Sequence, residues 1–178
     1  LPFIPPELRE DRGEVEAAAQ GLLPRLVELA DIKGDLHIHT VWSDGLDTIE
    51  EVVKRAREKG YEYIAVTDHS QSLKIARGLS LDKLKEQHRE IRSLNKEMDG
   101  FTILTGIEAD ILPGGGIDCP EEILKETDLV IASVHSAFKQ DRETMTARVI
   151  SAVENKNVDI IGHLTGRLLA RREGYALD

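Results

Sequence analysis

The sequence predicts an α/β fold assembled from parallel βα units, arranged as an open doubly wound sheet or as a barrel. Two observations carry this prediction. Short apolar segments with strand patterning alternate along the chain with longer, charged segments of helical spacing. Glycines and capping residues fall at the junctions between them.

The opening LPFIPPELRED is rich in proline and charge and reads as linker. GEVEAAAQGLLPRLVEL has helical spacing, interrupted at Gly21 and Pro24. GDLHIHT reads as the first strand, apolar at alternate positions. Thr48 and Glu51 form a capping box for the helix IEEVVKRAREKG, which sets Ile49, Val52, Val53 and Ala56 on one face. YEYIAVTDHS is the second strand, and Ser80 caps the helix LDKLKEQHREIRSLNKEMDG. FTILTGIEADIL is the third strand, followed by a glycine-rich turn at 114–116. CPEEILKET is a short helix, DLVIASVHSA a strand, DRETMTARVISAVENKN a helix and VDIIGHLTG a strand. No glycine-rich phosphate loop of the P-loop or Rossmann type is present.

Composition narrows the function. The 178 residues suffice for one domain with a substantial core, and only 4% are aromatic, so that core is aliphatic. No apolar run approaches the roughly 20 residues of a membrane span, and no signal peptide is evident. The single cysteine, Cys119, excludes an intrachain disulfide framework and fits a reducing, cytoplasmic setting. Net charge is −10, whereas a protein that coats duplex DNA is usually basic. Any contact with nucleic acid is therefore expected at a small site. Leu1 in place of methionine, and the charged run before Asp178, lead to the expectation of a piece cut from a longer chain.

The chemistry collects at strand ends. His37, His39, His69, His135 and His163 all lie at or near the ends of predicted strands, and Glu108 closes TILTGIE in the same manner. In parallel βα architectures those ends face the loops that build the active site. His37 and His39 are two apart and share a face, and Asp44 follows on the loop. Imidazole with carboxylate suits zinc, manganese or iron. No thiolate takes part, and ligands drawn from several strands argue for an open, catalytic, multi-metal site. Asp35 shares the His37 and His39 face, and Asp35, Asp68 and Asp110 are candidates to orient the ligands. His88, mid-helix among charged neighbours, reads as a solvated surface residue, and Cys119 as structural. The charged residues of the three main helices read as solvated faces. Cations follow three of the ligand-bearing strands: Lys74 and Arg77, then Lys139 and Arg142, then Arg167, Arg171 and Arg172. In so acidic a chain, that recurrence favours a phosphate-bearing substrate.

DLHIHT…SDG, AVTDHS, GIEADIL, ASVHS and GHLTGR, in that order, resemble the motifs of the PHP (polymerase and histidinol phosphatase) family from about Lys33 to the C-terminus. SLKIARGLS, EIRSLNKEMDGFTILTGIEADILPGGGIDCPEEIL and GHLTGRLLARREGYALD resemble the C-terminal PHP domain of bacterial and archaeal family X DNA polymerases. The resemblance implies a linker from a polymerase region over 1–32 and a partial PHP metallohydrolase domain over 33–178. It implies a distorted barrel of seven βα units, TIM-like, with two to three divalent ions at its C-terminal mouth. His37, His39 and Glu108 would hold one ion, Asp44 and His69 a second, and Glu108, His135 and His163 a third. The family completes its site with a later D-x-H motif, which has no counterpart here. The barrel is thus expected to be incomplete, with two metal positions each short of one ligand. Leu164 and Gly174 stand where the family commonly has proline.

The implied activity is metal-dependent hydrolysis of phosphodiester bonds at DNA 3′ ends, as a 3′–5′ exonuclease or end-processing activity in repair. The polymerase domain of the same full-length chain is the implied partner. Metal-activated water is the nucleophile, and no side chain is assigned a separate catalytic role. Two further readings stand beside it: a phosphomonoesterase of the histidinol-phosphatase type, and a non-catalytic scaffold for the polymerase.

Overall fold

The computed structural model describes residues 2–178. Leu1, where the linker reading begins, lies outside the described residues. The chain divides into two compact units, Leu1–Ile32 and Lys33–Asp178.

In the first unit the only α-helix among the described residues is α1, Glu14–Ala19. Helical spacing predicts a longer element there. Gly21 takes φ +69°, a left-handed conformation that ends the helix, and Pro24 has no N–H to resume it.

The second unit is a five-stranded sheet in the order β1-β2-β3-β4-β5, parallel throughout. The strands are β1 Gly34–Ile38, β2 Tyr63–Val66, β3 Thr102–Asp110, β4 Leu129–Ser133 and β5 Ile160–Ile161. The helices are α2 Ile49–Glu58, α3 Leu81–Glu97, α4 Glu121–Leu124 and α5 Arg142–Val153. Strand order follows chain order without reversal. That is the winding of a barrel and not of a doubly wound sheet, which reverses at a switch point. The five strands form a curled, incomplete barrel.

Burial alternates along the strands as that winding requires. Ala65, Leu129 and Ile131, with Leu36, Leu104 and Ile160, form the inner layer. The alternate residues pack against the helices. Ile64, Val66 and Ile103 meet Ile49 and Val53 of α2 and Ile91 of α3. Ile107 and Val130 meet Leu84 and Leu124, and Ala132 meets Met145 and Val149 of α5. The capping box holds: Thr48 N–H donates to Glu51 Oε2 at 2.8 Å and Glu51 N–H to Thr48 Oγ1 at 3.3 Å.

Two sequence expectations fail in the helices. His88 is buried, with 4% exposure, and its Nε2 lies 3.3 Å from the Gly106 carbonyl. It belongs to the stripe Leu84, Gln87, His88 and Ile91, one helical face turned to the sheet, while its charged neighbours occupy the other. Arg148 of α5 is buried as well, where a solvated charge is expected. Its Nε donates to the Ile111 carbonyl at 3.0 Å, and Nη1 donates to Ser136 O and Gln140 Oε1. These bonds satisfy the guanidinium and tie α5 to the loops after β3 and β4.

Candidate metal centre

The inner face of the barrel delivers the site. Leu104 points inward, and Glu108 keeps that parity at the far end of β3. His135 continues the inward register of Leu129 and Ile131 beyond β4. His69 follows β2, where its backbone bridges to Glu108.

Three histidines reach the same face through irregular backbone. The β1–β2 register shifts between Asp35 and Ile38. Leu36 joins the inner layer, yet Ile38, two residues on, packs against the outer core. The shift reverses the parity of the strand and turns His37 and His39 inward. It also corrects the reading of Asp35, which lies on the outer side with Ile38, Val52 and Arg55. Its Oδ1 accepts the backbone N–H of His37 at 3.1 Å, not an imidazole. At β5, simple alternation from Ile160 would send His163 outward. The backbone takes φ +25° there and re-aims the ring.

Glu108 is the centre. Its carboxylate is 1% exposed, and each oxygen meets several imidazoles. Oε2 lies 3.3 Å from His37 Nε2, 3.3 Å from His39 Nε2 and 3.0 Å from His69 Nδ1. Oε1 lies 3.0 Å from His163 Nε2 and 3.4 Å from His135 Nε2. Asp44, half-exposed at the mouth, approaches His39 Nδ1 at 3.5 Å and His69 Nε2 at 3.7 Å. Three groups could each hold a cation: His37, His39 and Glu108; His39, Asp44 and His69; and His69, Glu108 and His135. Relative to the ligand sets implied by the resemblance, His39 joins the Asp44 group, and His69 stands with Glu108 and His135.

The donor set fits divalent cations. His39 Nδ1 and His69 Nδ1 are buried without a hydrogen-bond partner. The latter sits 3.0 Å from Glu108 Oε2 without hydrogen-bond alignment. Nε2 of His135 and Nε2 of His163 face each other at 3.1 Å. Lone pairs converging in this way are expected where an ion is shared, since a buried polar atom otherwise costs free energy. The clustered groups also shift one another's protonation. Burial alone would raise Glu108, but the surrounding imidazoles of His135, His163, His37 and His69 hold it far below the ordinary carboxylate range. Burial works against protonation of His135, yet Asp110 and Glu108 raise it to about 9. Burial and the neighbouring His69 push His39 down.

A second layer of polar residues holds the ligands. Asp110 Oδ1 lies 2.5 Å from His135 Nδ1, and its Oδ2 accepts from Ser72 Oγ at 2.9 Å. Asp68 is fully buried. It accepts from Thr40 N, Thr40 Oγ1, Ser43 N, Ser43 Oγ and Gln87 Nε2. It therefore fixes the turn that carries Asp44, and not an imidazole directly. Sequence reasoning did not pick out Thr40, Ser43, Ser72 and Gln87. Thr40 and Ser43 lie inside HTVWSDG, where a hydroxyl on each side of the turn is a usable signal, whereas nothing local marks Gln87. Two glycines keep the site open. A Cβ on Gly45 would come 2.3 Å from the His39 carbonyl, and one on Gly162 would come 2.3 Å from Ser133 Oγ.

The cleft, about 510 Å³, is lined by these ligands together with Leu73, Ile75 and Ala76. Lys74, Arg77, Lys139, Arg142, Arg167 and Arg171 do not line it. Arg142 instead pairs with Asp178 at 3.1 Å, and Arg172 lies over the Phe138 ring at 3.9 Å. Cys119 is buried away from the cleft, and burial pushes its thiol up to about 11, in keeping with a structural role.

A family model described as the PHP domain matches residues 35–176. The chain belongs to the PHP family. Over all 178 residues this PHP chain is 51% identical to a protein of Bacillus subtilis (strain 168) named DNA polymerase/3′-5′ exonuclease PolX, covering 31% of that relative. Over 134 residues it is 37% identical to a probable phosphatase of Thermoanaerobacter sp. (strain X514), covering 72% of this chain and 52% of the relative. The PHP chain thus spans at most about half the length of these curated relatives. Among solved structures it is similar to histidinol phosphate phosphatase from Lactococcus lactis, complexed with zinc, L-histidinol and phosphate. That match has a TM-score of 0.50 at 22% identity over 75% of this chain and 58% of the other. At that identity the likeness concerns the fold, and it is the likeness of one PHP-type α/β barrel to another. The curated relatives are thus named as a DNA polymerase/3′-5′ exonuclease and as a probable phosphatase. No helix among the described residues is long and apolar enough to cross a membrane.

Proposed function

We propose that this chain is a metal-dependent phosphoesterase acting on phosphodiester bonds at DNA 3′ ends, as part of a family X polymerase working in the cytoplasm. The observation that carries the reading is 51% identity along the whole chain to a polymerase named as a 3′-5′ exonuclease, against 37% to the phosphatase branch. Residues 33–178 form the hydrolase domain in this reading, and residues 1–32 join it to the polymerase region.

His37, His39 and Glu108 would hold one ion, His39, Asp44 and His69 a second, and His69, Glu108 and His135 a third, with His163 completing the ring around Glu108. Bound divalent ions such as manganese, zinc or iron would supply Lewis acidity and a nucleophile at neutral pH. The chain's own residues do the positioning. Glu108 presents one oxygen to each half of the cluster. Asp110 engages Nδ1 of His135, which leaves Nε2 as the atom turned toward the cleft. Asp68 fixes the turn that presents Asp44. Among the described residues the cleft wall holds no serine, cysteine or lysine, so a covalent route through such a side chain has no nucleophile there.

Trimming of an oligonucleotide from its 3′ end, stimulated by Mn²⁺ and abolished by a chelator, is the expected result. Absence of trimming with every divalent ion would overturn it. Phosphomonoester hydrolysis is the second reading, favoured by the named phosphatases among the relatives. Turnover of histidinol phosphate with oligonucleotides left intact would establish it instead.

A further inference from the structure

Three side chains on the cleft wall, Leu73, Ile75 and Ala76, have no part in holding metal. Ile75 lines the cleft yet is 93% exposed. It sits at the tip of the loop between β2 and α3, in the single 3₁₀ turn Lys74–Ala76. Of these three it is the exposed one, so the cleft wall presents a large aliphatic side chain beside the polar centre.

Hydrogen bonds anchor the loop below its tip. Its base is closed by Leu79 N–H donating to the His69 carbonyl at 2.8 Å and Gly78 N–H to the Leu73 carbonyl at 3.1 Å. A Cβ on Gly78 would come within 1.9 Å of the Ser70 carbonyl, which shows how tightly the two stems approach. Ser72 anchors the ascending side through its N–H to Asp118 Oδ2 at 2.7 Å and its hydroxyl to Asp110 Oδ2 at 2.9 Å. Ala76 is buried beneath the tip. The aspartate that holds His135 therefore also holds the loop that raises Ile75.

Charge is placed around that tip. Lys74 precedes Ile75, and Arg77, at φ +58°, follows Ala76. Both are exposed, and among the described residues neither forms an ion pair with an acidic side chain. A cation, an apolar tip and a second cation within four residues offer contacts to both parts of a nucleic acid strand, the charged backbone and the apolar base face.

We infer that Ile75 is a specificity-determining residue: its side chain packs against the terminal nucleobase while Lys74 and Arg77 face phosphates on the 5′ side of that base, so that the scissile ester is set over the cluster. The inference rests on the proposed action at DNA 3′ ends and adds a contact that distinguishes a base-bearing end from a bare phosphoester.

The test uses the full chain with Mn²⁺. Binding of two single-stranded oligonucleotides is followed by fluorescence anisotropy, one with an ordinary 3′-terminal nucleotide and one whose terminal nucleotide lacks its base. The chain is expected to prefer the base-bearing end about tenfold, equivalent to about 1.4 kcal/mol of apolar burial. Ile75→Ala is expected to bring the ratio close to one, and Ile75→Leu, which keeps the apolar tip, to restore most of it. Two outcomes overturn the inference while the proposed function stands: binding of both ends without preference, or a preference that survives Ile75→Ala. Failure of the unmodified chain to bind or trim either oligonucleotide overturns the proposed function itself, and the inference with it.

Discussion

Asp110 Oδ1 lies 2.5 Å from Nδ1 of His135, and the opposite ring nitrogen, Nε2, lies 3.4 Å from Glu108 Oε1. One carboxylate thus sets the orientation of an imidazole whose other face belongs to the cluster. Such outer partners are worth about 10–100-fold in metal affinity. Asp110→Asn should weaken Zn²⁺ or Mn²⁺ binding by about that factor, measured by competition with a chelating indicator. Unchanged affinity would remove Asp110 from the site.

Asp68 accepts from two backbone N–H groups, two hydroxyls and the Gln87 amide, and it is fully buried. Asp68→Ala strands those donors, each at about 1–3 kcal/mol when left unpaired. The loss in urea unfolding should exceed about 3 kcal/mol. Because the turn carrying Asp44 would lose its anchor, metal occupancy should fall as well. A loss under about 1 kcal/mol would mean that water replaces the carboxylate.

His88 gives a pH prediction away from the cluster. Burial lowers its pKa, and the contact with the Gly106 carbonyl opposes this only in part. The unfolded chain takes up a proton near the ordinary value of 6.5, while the folded chain resists it to lower pH. The unfolded state then binds more protons, so stability rises with pH through that range and is lost as pH falls. His88→Gln keeps a donor for the Gly106 carbonyl and removes the titration. Between about pH 7.5 and about 5.5, the variant should lose less stability than the parent chain. Equal losses would contradict the burial argument.

Gly162 is held by contact and not by its φ. An added Cβ would lie 2.3 Å from Ser133 Oγ and 3.0 Å from Ile131 Cγ2, both in the barrel interior. Gly162→Ala should cost about 1–3 kcal/mol and reduce metal occupancy, because His163 must shift with its neighbour. Unaltered stability would show that the interior has room there.

The parallel βα order and the strand-end histidines are legible in the sequence because both follow from alternation, which local patterning records. His69, Glu108 and His135 could be placed that way. His37, His39 and His163 stand out in the sequence as well, but the reason they face inward lies elsewhere. A register shift in β1 reverses parity, and a positive φ at His163 re-aims the ring. The same shift carries Asp35 off the face that simple alternation assigns to it. His88 reads as solvated because its sequence neighbours are charged, although positions 84, 87, 88 and 91 trace one buried stripe. Arg148 could not be placed from sequence, since its acceptors are carbonyls of loops distant along the chain.

The central claim is that Glu108 is shared between ions held by the surrounding histidines. Its most direct test is equilibrium dialysis of the full chain and of Glu108→Gln against Zn²⁺ or Mn²⁺, followed by metal analysis. The unmodified chain should hold more than one ion per molecule, and Glu108→Gln should lose most of them while remaining folded by circular dichroism. Equal metal content in the two proteins, or no ion retained by the unmodified chain, would contradict the account.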